Sequence, residues 1–239
     1  MIGPIDVPML GGPAAELWPV LFDLAEEFPN AWALVGAQMV VLHALDHGVS
    51  RPSYTEDADV LVDIRSLAPG RVAAYLTAHG FELDGVSADG VGHRFVREGL
   101  AIDVLAIDNA GSRADRTTIP PARTVLVPGG RQAMSHLDMA RVVLADGSGD
   151  VPVPNWTGAL ILKSRAALSF AEDQDKHLQD VALLLSLPVD VDGLRRSMSR
   201  SERSYVRKAL LKLDDRIWRA VGRSIDERIG RAAATLLSG

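Results

Sequence analysis

The chain has 239 residues, of which 47% are hydrophobic, so it is long enough for one large domain or two smaller ones with a sizeable core. The sequence contains neither a run of about 18 apolar residues nor a basic start followed by an apolar stretch, so we expect neither a membrane span nor a secretory leader. Zero cysteines exclude disulfides, thiolate metal sites and a cysteine nucleophile, which is typical of a cytoplasmic protein.

Charge is divided unevenly along the chain. Residues 1–154 hold 10 Arg, no Lys and 20 acids, whereas residues 155–239 hold 15 basic residues and 11 acids. The net charge is therefore −10 in the first part and +4 in the second. An acidic part can hold a metal ion and a basic part can hold an anion.

Hydrophobic spacing and turn residues predict the elements in chain order. They are a helix at 14–28, a strand at 32–35, a tight turn at 36–37, a helix that ends near Gly48, a strand at 58–62, a helix at 69–79, paired strands at 94–96 and 100–107, a strand at 123–127, and helices at 157–170, 174–187 and 200–237. Gly129 and Gly130 are interpreted as a hairpin turn, and the stretch GDVPVPNW as a joint, because two prolines precede the next helix. The pattern predicts an α+β N-terminal domain at 1–154 and an α-helical C-terminal domain at 155–239.

Two aspartates, Asp57 and Asp59, lie at the start of a predicted strand in the stretch SRPSYTEDADVLVD. Side chains two residues apart in a strand leave the same face, so both carboxylates point to one side of the sheet. Asp103 lies between apolar neighbours inside a second predicted strand. If the two strands are neighbours, three carboxylates converge, and oxygen-only ligands of this kind favour Mg²⁺ or Mn²⁺.

A structural interpretation of the same residues stays open. In it, Asp57 and Asp59 cap the end of a strand, and Asp103 pairs with an arginine such as Arg94. Arg94 stands just ahead of its strand, where either a pairing role or a place in the pocket is consistent with the pattern.

The order of these parts resembles the nucleotidyltransferase superfamily of the polymerase-β type. The turn at 36–37 joins a strand to a helix, Thr55 precedes Asp57 and Asp59 on the next strand, and Asp103 follows on a later one. In that family a small-residue turn at a helix N-terminus binds nucleotide phosphates, and three strand carboxylates hold the metal ions. The resemblance implies that Gly36, Ala37 and Thr55 bind nucleotide, and that the three aspartates are catalytic metal ligands. Free N–H groups at a helix start favour an anion, which agrees with this assignment.

The C-terminal part resembles the helical segment of AbiEii-type nucleotidyltransferases and MenT toxins. In that segment a helix lysine is followed by a Lys-x-x-x-Asp pair, and the stretch LILKSRAALSFAEDQDKHLQDVALLL has the same order. The resemblance implies that Lys163 approaches the nucleotide phosphates and that Lys176 and Asp180 complete the pocket. It covers residues 32–187 and implies a nucleotidyltransferase-type mixed sheet with flanking helices. His177, next to Lys176, is left without a role.

The resemblance implies a metal-dependent enzyme that transfers NMP from an NTP to an acceptor hydroxyl and releases pyrophosphate. It further implies the 3′ end of tRNA as acceptor and a toxin with a cognate antitoxin protein, or a phage-defence role; a protein hydroxyl or a small molecule stays open as acceptor. The alternative is a non-catalytic nucleotide- or partner-binding protein that acts as an antitoxin or scaffold. Ala37 favours the alternative because the family has Gly or Ser there, whereas three converging carboxylates favour the enzyme.

The predicted last helix is rich in cations. They are Arg200, Arg203, Arg207, Lys208, Lys212, Arg216, Arg219 and Arg223. Cations that share helix faces are typical of an RNA-binding surface. The other interpretation is a solvated helix whose cations alternate with acids such as Asp214 and Asp226.

Overall fold

A computed structural model describes residues 2–7, 13–49, 57–111, 113–188, 190–222 and 226–238, without the side chains of residues 13–15. The strands of this part are β1 (Ile2–Asp6), β2 (Trp32–Val35), β3 (Asp57–Val62), β4 (Glu82–Leu83), β5 (Arg94–Arg97), β6 (Leu100–Ile107), β7 (Leu126–Val127), β8 (Leu137–Leu144) and β9 (Gly147–Pro154). Its helices are α1 (Pro13–Glu27), α2 (Gly36–Asp46), α3 (Pro69–Ala78), α4 (Gly130–Met134), α5 (Trp156–Ser169), α6 (Gln174–Leu185), α7 (Val191–Ser197), α8 (Arg200–Leu210), α9 (Asp215–Val221) and α10 (Glu227–Ser238). The predicted α+β class with a helical C-terminal part is confirmed.

The main sheet is mixed and has six strands within the described residues. Its order is β2-β3-β6-β5-β4, with β7 added beside β6. Strands β3 and β6 run parallel, while β2 and β5 run antiparallel to them on either side. The predicted neighbourhood of the two aspartate-bearing strands is therefore confirmed.

Both faces of the main sheet are covered. On one face, Val60 and Ile102 join a core formed with α1, α3 and the second sheet. On the other face, Leu61 and Ile107 pack against residues of α4, α5 and α6. Because side chains alternate along a strand, Asp57, Asp59 and Leu61 share this second face. The carboxylates therefore point toward the layer that contains α5 and α6.

A second sheet has the order β1-β8-β9, and the sequence analysis did not predict it. The stretch interpreted as a joint is the edge strand β9, in which Val151 and Val153 are fully buried. Pro152 and Pro154 suggested a break, but an edge strand tolerates proline because one side of it needs no ladder hydrogen bond. Gly129 was also misinterpreted: it has φ +85° and begins the short helix α4 instead of a hairpin.

The single long helix expected at 200–237 is divided into α8, α9 and α10. Local capping explains two of the starts. Ser199 and Glu202 form a reciprocal capping box at α8, and the Asp214 side chain accepts a hydrogen bond from the Ile217 N–H at α9. Among the described residues, no helix is long and apolar enough to cross a bilayer. The division at residue 154 stays a prediction, and α5 packs in two cores, one shared with the sheet and one with the later helices.

Candidate active site

Asp59 and Asp103 lie directly opposite each other on adjacent parallel strands. The register of β3 and β6 pairs Asp59 with Asp103 and Asp57 with Ala101. Paired residues of neighbouring strands point to the same face, so the two carboxylates are neighbours. Burial raises the pKa of Asp59, and the negative charge of Asp103 raises it further. Burial also raises the pKa of Asp103.

Arg94 lies on β5, on the side of Asp103 away from Asp59, and forms ion pairs with two of the three carboxylates. Its Nη1 is 3.1 Å from Asp103 Oδ2, and its Nη2 is 2.9 Å from Asp57 Oδ1. The open interpretation in which Arg94 pairs with Asp103 is therefore what the structure shows, and Asp57 shares the same guanidinium. Asp59 has no ion-pair partner within 4.0 Å among the described residues.

The carboxylates do not form a ready-made metal cage. Within the described ranges, no group of three or more acidic or histidine side chains is close enough to hold a metal ion. The donor set still fits a hard cation in its chemistry, because it consists of carboxylate oxygens and includes Asp59, which has no counter-ion among the described residues. The residue that opposes metal binding is Arg94, since it neutralises Asp57 and Asp103.

Gly36 lies beside the unpaired carboxylate, at the junction of β2 and α2. Its φ of +69° belongs to the left-handed region, and a Cβ at this position would overlap the Asp59 carboxylate. The start of α2 has no side-chain cap and no acid in its first turn, so its N–H groups are available to an anion. Ala37 follows in that first turn. The predicted nucleotide-binding residue Thr55 lies outside the described residues.

A cavity of about 510 Å³ opens between the sheet and the C-terminal helices. Its polar lining includes Gly36, Asp59, Lys163 and His177, which come from four different elements. Its apolar wall is formed by Val35, Leu105, Val125, Val127, Leu162, Ala166 and Phe170. The volume lies within the usual range for a small-molecule site, and the division into a charged end and an apolar wall suits a ligand with phosphates and a ring system.

Lys163 lines this cavity and forms a buried ion pair behind it. Its Nζ is 2.7 Å from Asp180 Oδ2, and the side chains of the two residues are 6% and 1% exposed. The pair joins α5 to α6 and holds the lysine in place. Asp180 is fully buried, so it acts on the cavity through Lys163, and a direct role toward a nucleotide stays a prediction.

Lys176 is exposed on α6 and is not among the residues that line the cavity. The rise of the Asp59 pKa caused by burial and Asp103 is partly offset by Lys163 and Lys176, so the positive charge of Lys176 is felt at the site. Its predicted contact with a nucleotide stays a prediction.

His177 is a cavity residue to which the sequence analysis gave no role. Its Nδ1 is buried and has no hydrogen-bond partner among the described residues, and its ring centroid is 6.1 Å from that of Phe170. Burial lowers the pKa of His177, and the Lys163 charge lowers it further, so the ring is neutral at physiological pH. Its position three residues before Asp180, on the same helix face, is the signal that could have identified it.

The comparisons with known proteins bear on the fold. No protein-family model and no curated protein matches the chain. Among solved structures, it is similar to an antigenic nucleotidyltransferase-like protein from Paracoccidioides brasiliensis, with a TM-score of 0.50 and 15% identity over 89% of this chain and 94% of that one. At this identity the likeness shows the fold alone, so the chain has a nucleotidyltransferase-like fold. The narrower resemblance to AbiEii and MenT proteins stays a prediction.

Proposed function

We propose that the protein is a metal-dependent nucleotidyltransferase that transfers NMP from an NTP to an acceptor hydroxyl and releases pyrophosphate. The observation that carries the proposal is the in-register pair Asp59 and Asp103, of which Asp59 lines a cavity that also contains the buried cation Lys163. Two neighbouring carboxylates with raised pKa values and a lysine opposite them fit a reaction in which negative charge must be neutralised.

The cavity supports a definite orientation of the nucleotide. The phosphates would lie between Lys163 and the uncapped start of α2, because both favour an anion. The base and sugar would then lie along the apolar wall, where Phe170 and His177 offer ring faces. Ala37 and Lys176 are proposed to complete the phosphate site from its rim. The resemblance adds Thr55 as a further nucleotide-binding residue, which lies outside the described residues.

The proposed cofactor is Mg²⁺ or Mn²⁺, held by carboxylate oxygens of Asp57, Asp59 and Asp103. Such a cation, when bound, activates the acceptor hydroxyl and neutralises charge on the departing pyrophosphate. Asp59 would be its anchor because it has no competing counter-ion among the described residues. Arg94 must release one of its two carboxylates for the full set to be available.

In the proposed transfer, side chains of the protein accept the proton and neutralise charge while the bonds to phosphorus change. The acceptor oxygen forms a bond to the α-phosphorus, and the bond from that phosphorus to the bridging oxygen breaks, so pyrophosphate leaves with the electron pair. The acceptor proton passes to the Asp103 carboxylate, whose raised pKa makes it a better base than an exposed aspartate. Lys163 neutralises the charge that develops on the phosphates.

The acceptor and biological setting are proposed from the resemblance alone. They are the 3′ end of tRNA and a toxin role with a cognate antitoxin protein, or a role in phage defence. A place in the cytoplasm is proposed from the absence of cysteine. A protein hydroxyl and a small molecule are the other acceptors that the same chemistry would serve.

A second candidate function is favoured by one observation. Because Arg94 neutralises Asp57 and Asp103 and no metal cage is preformed within the described residues, a non-catalytic nucleotide- or partner-binding protein is also consistent with the site. Such a protein would serve as an antitoxin or a scaffold.

In the deciding experiment, the purified protein is incubated with Mg²⁺, total tRNA and each α-labelled NTP in turn. Asp59→Asn is the test variant. Asp146→Asn is its charge-matched control, because Asp146 is an exposed residue of the β8–β9 turn, where aspartate and asparagine are equally favourable. Label on RNA with the wild type and the control, but not with Asp59→Asn, supports the enzyme. Label on the protein itself would change the acceptor, and NTP binding without any transfer would favour the second candidate.

A further inference from the structure

The exposed side of α8 carries cations that have no carboxylate partners in the part of the chain that the structure describes. Arg200, Arg207 and Lys208 make no ion pair with any residue that the structure describes. The one acid of this helix, Glu202, is buried and is used elsewhere: its Oε2 accepts a hydrogen bond from the Ser199 N–H at 2.6 Å. The positive charge of α8 is therefore not neutralised by its own helix.

One cation on each of the two later helices, unlike the cations of α8, has a carboxylate partner in the described part of the chain. On α9, Arg216 Nη1 lies 2.7 Å from Asp175 Oδ2. On α10, Arg231 Nη2 lies 2.9 Å from Asp215 Oδ1. Arg223 lies outside the described residues. Arg219 and Arg228 make no ion pair with a described residue, so each of these helices has one paired cation and α8 has none. The interpretation of a solvated surface with alternating charges therefore fits α9 and α10 in part, but it does not fit α8.

A cleft of about 340 Å³ borders α8 on one side. It is lined by Arg195, Arg200, Arg203, Ser204, Arg207, Leu237 and Ser238, so its described lining contains four arginines and no acidic side chain. Guanidinium groups gathered around one cleft repel each other unless an anion lies between them. Their planar, forked donors match the oxygens of a phosphate.

A second cleft, of about 550 Å³, borders the other side of the same helix. Its lining includes Arg65, Arg131, Arg165, Ser201 and Tyr205. The Arg165 guanidinium lies 4.0 Å from the centre of the Tyr205 ring, and the Lys208 Nζ lies 5.7 Å from it. Arg65 and Arg165 are paired with Asp63 and Asp108, whereas Arg131 makes no ion pair with a described residue. An aromatic ring beside cations is typical of surfaces that bind a nucleic-acid strand, because the ring can stack on a base while the cations hold phosphates.

We propose that α8 and its two clefts form a surface that binds the phosphate backbone of a polynucleotide. The helix has 11 residues and is about 16 Å long, so the surface spans several successive phosphates instead of one. A lone phosphate or a nucleotide would occupy a single cleft. An acidic protein would not need the stacking ring or the row of arginines on both sides of one helix.

The position of this surface relative to the cavity restricts the path by which a bound strand could reach the carboxylates. Lys163 and Arg165 are two residues apart on α5, so their side chains point to opposite sides of that helix. Lys163 faces the cavity of Asp59, and Arg165 faces Tyr205. A strand bound along α8 must therefore pass around α5 to bring its end to the carboxylates. That the bound strand is the acceptor rests on the proposed function, whereas binding itself does not.

The test measures binding of a labelled RNA of about 20 nucleotides, longer than one binding site, and of DNA with the same sequence. No NTP is present, so failure of the proposed transferase activity cannot affect the result. The test variant is Arg200→Gln with Arg207→Gln and Lys208→Gln, all exposed on α8. The matched control removes the same charge from α9 and α10, through Arg216→Gln, Arg219→Gln and Arg228→Gln.

We expect the wild type and the control to bind RNA with an affinity that falls steeply between about 50 and 200 mM NaCl. In the α8 variant, the magnitude of the slope of log K against log salt should fall by about 2, and RNA should bind at least about tenfold more weakly at the lowest salt. The melting temperature should not change. Arg131→Gln should reduce the magnitude of this slope by about 1, because it changes the second cleft alone. Equal binding of RNA and DNA would support recognition of the backbone.

Three results would overturn the proposal. They are equal losses in the α8 variant and the control, wild-type affinity in the α8 variant, and no binding of either nucleic acid by the wild type. The first would mean that net charge alone is responsible, and the second that the strand lies elsewhere.

Discussion

The Asp59 carboxylate occupies the space that a Cβ atom at position 36 would need. The strand end that carries the acid and the turn that begins α2 therefore approach each other more closely than any residue but glycine permits. Gly36 also has a left-handed backbone, with φ +69°. The turn and the candidate catalytic residue depend on each other directly.

Gly36→Ala should lower the free energy of unfolding by about 2–4 kcal/mol, because the backbone strain and the overlap with Asp59 act together. Gly48→Ala is the matched control, since Gly48 has φ +71° but no atom of a described residue lies within 4 Å of a Cβ at this position. The control should lose only about 1 kcal/mol. Denaturant unfolding measures both variants, and equal losses would contradict the close approach of Gly36 to Asp59.

Asp59→Asn should stabilise the protein at neutral pH when no divalent metal is present. Burial and Asp103 raise the folded-state pKa of Asp59 above its ordinary value of 3.8, so ionisation at neutral pH opposes folding. The melting temperature should rise by about 2–4 °C at pH 7. The gain should shrink as the pH falls and vanish below 3.8, where wild-type Asp59 is protonated in both states. A gain that stays constant with pH would contradict the raised pKa.

Arg94→Gln should make metal binding easier to detect. The variant leaves Asp57 and Asp103 without their common cation, so the metal-free protein should be less stable by about 1 kcal/mol. Mg²⁺ or Mn²⁺ should then raise the melting temperature more than in the wild type, because the cation no longer competes with the guanidinium. The measurement is thermal unfolding with and without metal. An unchanged metal effect would show that Arg94 does not compete for these carboxylates.

Lys163→Met should lower the free energy of unfolding by about 3–5 kcal/mol, because it leaves the Asp180 carboxylate buried without its cation. The double variant Lys163→Met with Asp180→Leu should recover most of the stability, since it removes both charges from the interior. It should not recover nucleotidyl transfer if Lys163 neutralises the phosphates. A double variant that is stable and fully active would remove Lys163 from the proposed mechanism.

Local sequence patterns predicted the strand that carries Asp57 and Asp59, the glycine turn before α2, and most of the helices. The same patterns misassigned β9, because proline disfavours a central strand but is tolerated at an edge. They also joined α8, α9 and α10 into one helix. An apolar period continued through the region, while Ser199 and Asp214 mark new helix starts by side-chain hydrogen bonds within a single turn.

The sequence by itself determined that two carboxylates share one face of a strand, since the alternation of side chains is a property of the strand alone. It also supplied a glycine at the one turn that approaches them. Only the tertiary structure decided which charges meet: Asp59 lies opposite Asp103, Arg94 neutralises Asp103, and Lys163 pairs with Asp180. Each of these contacts depends on strand register or helix packing, and both are set by burial of the whole apolar core and not by the residues near the charges.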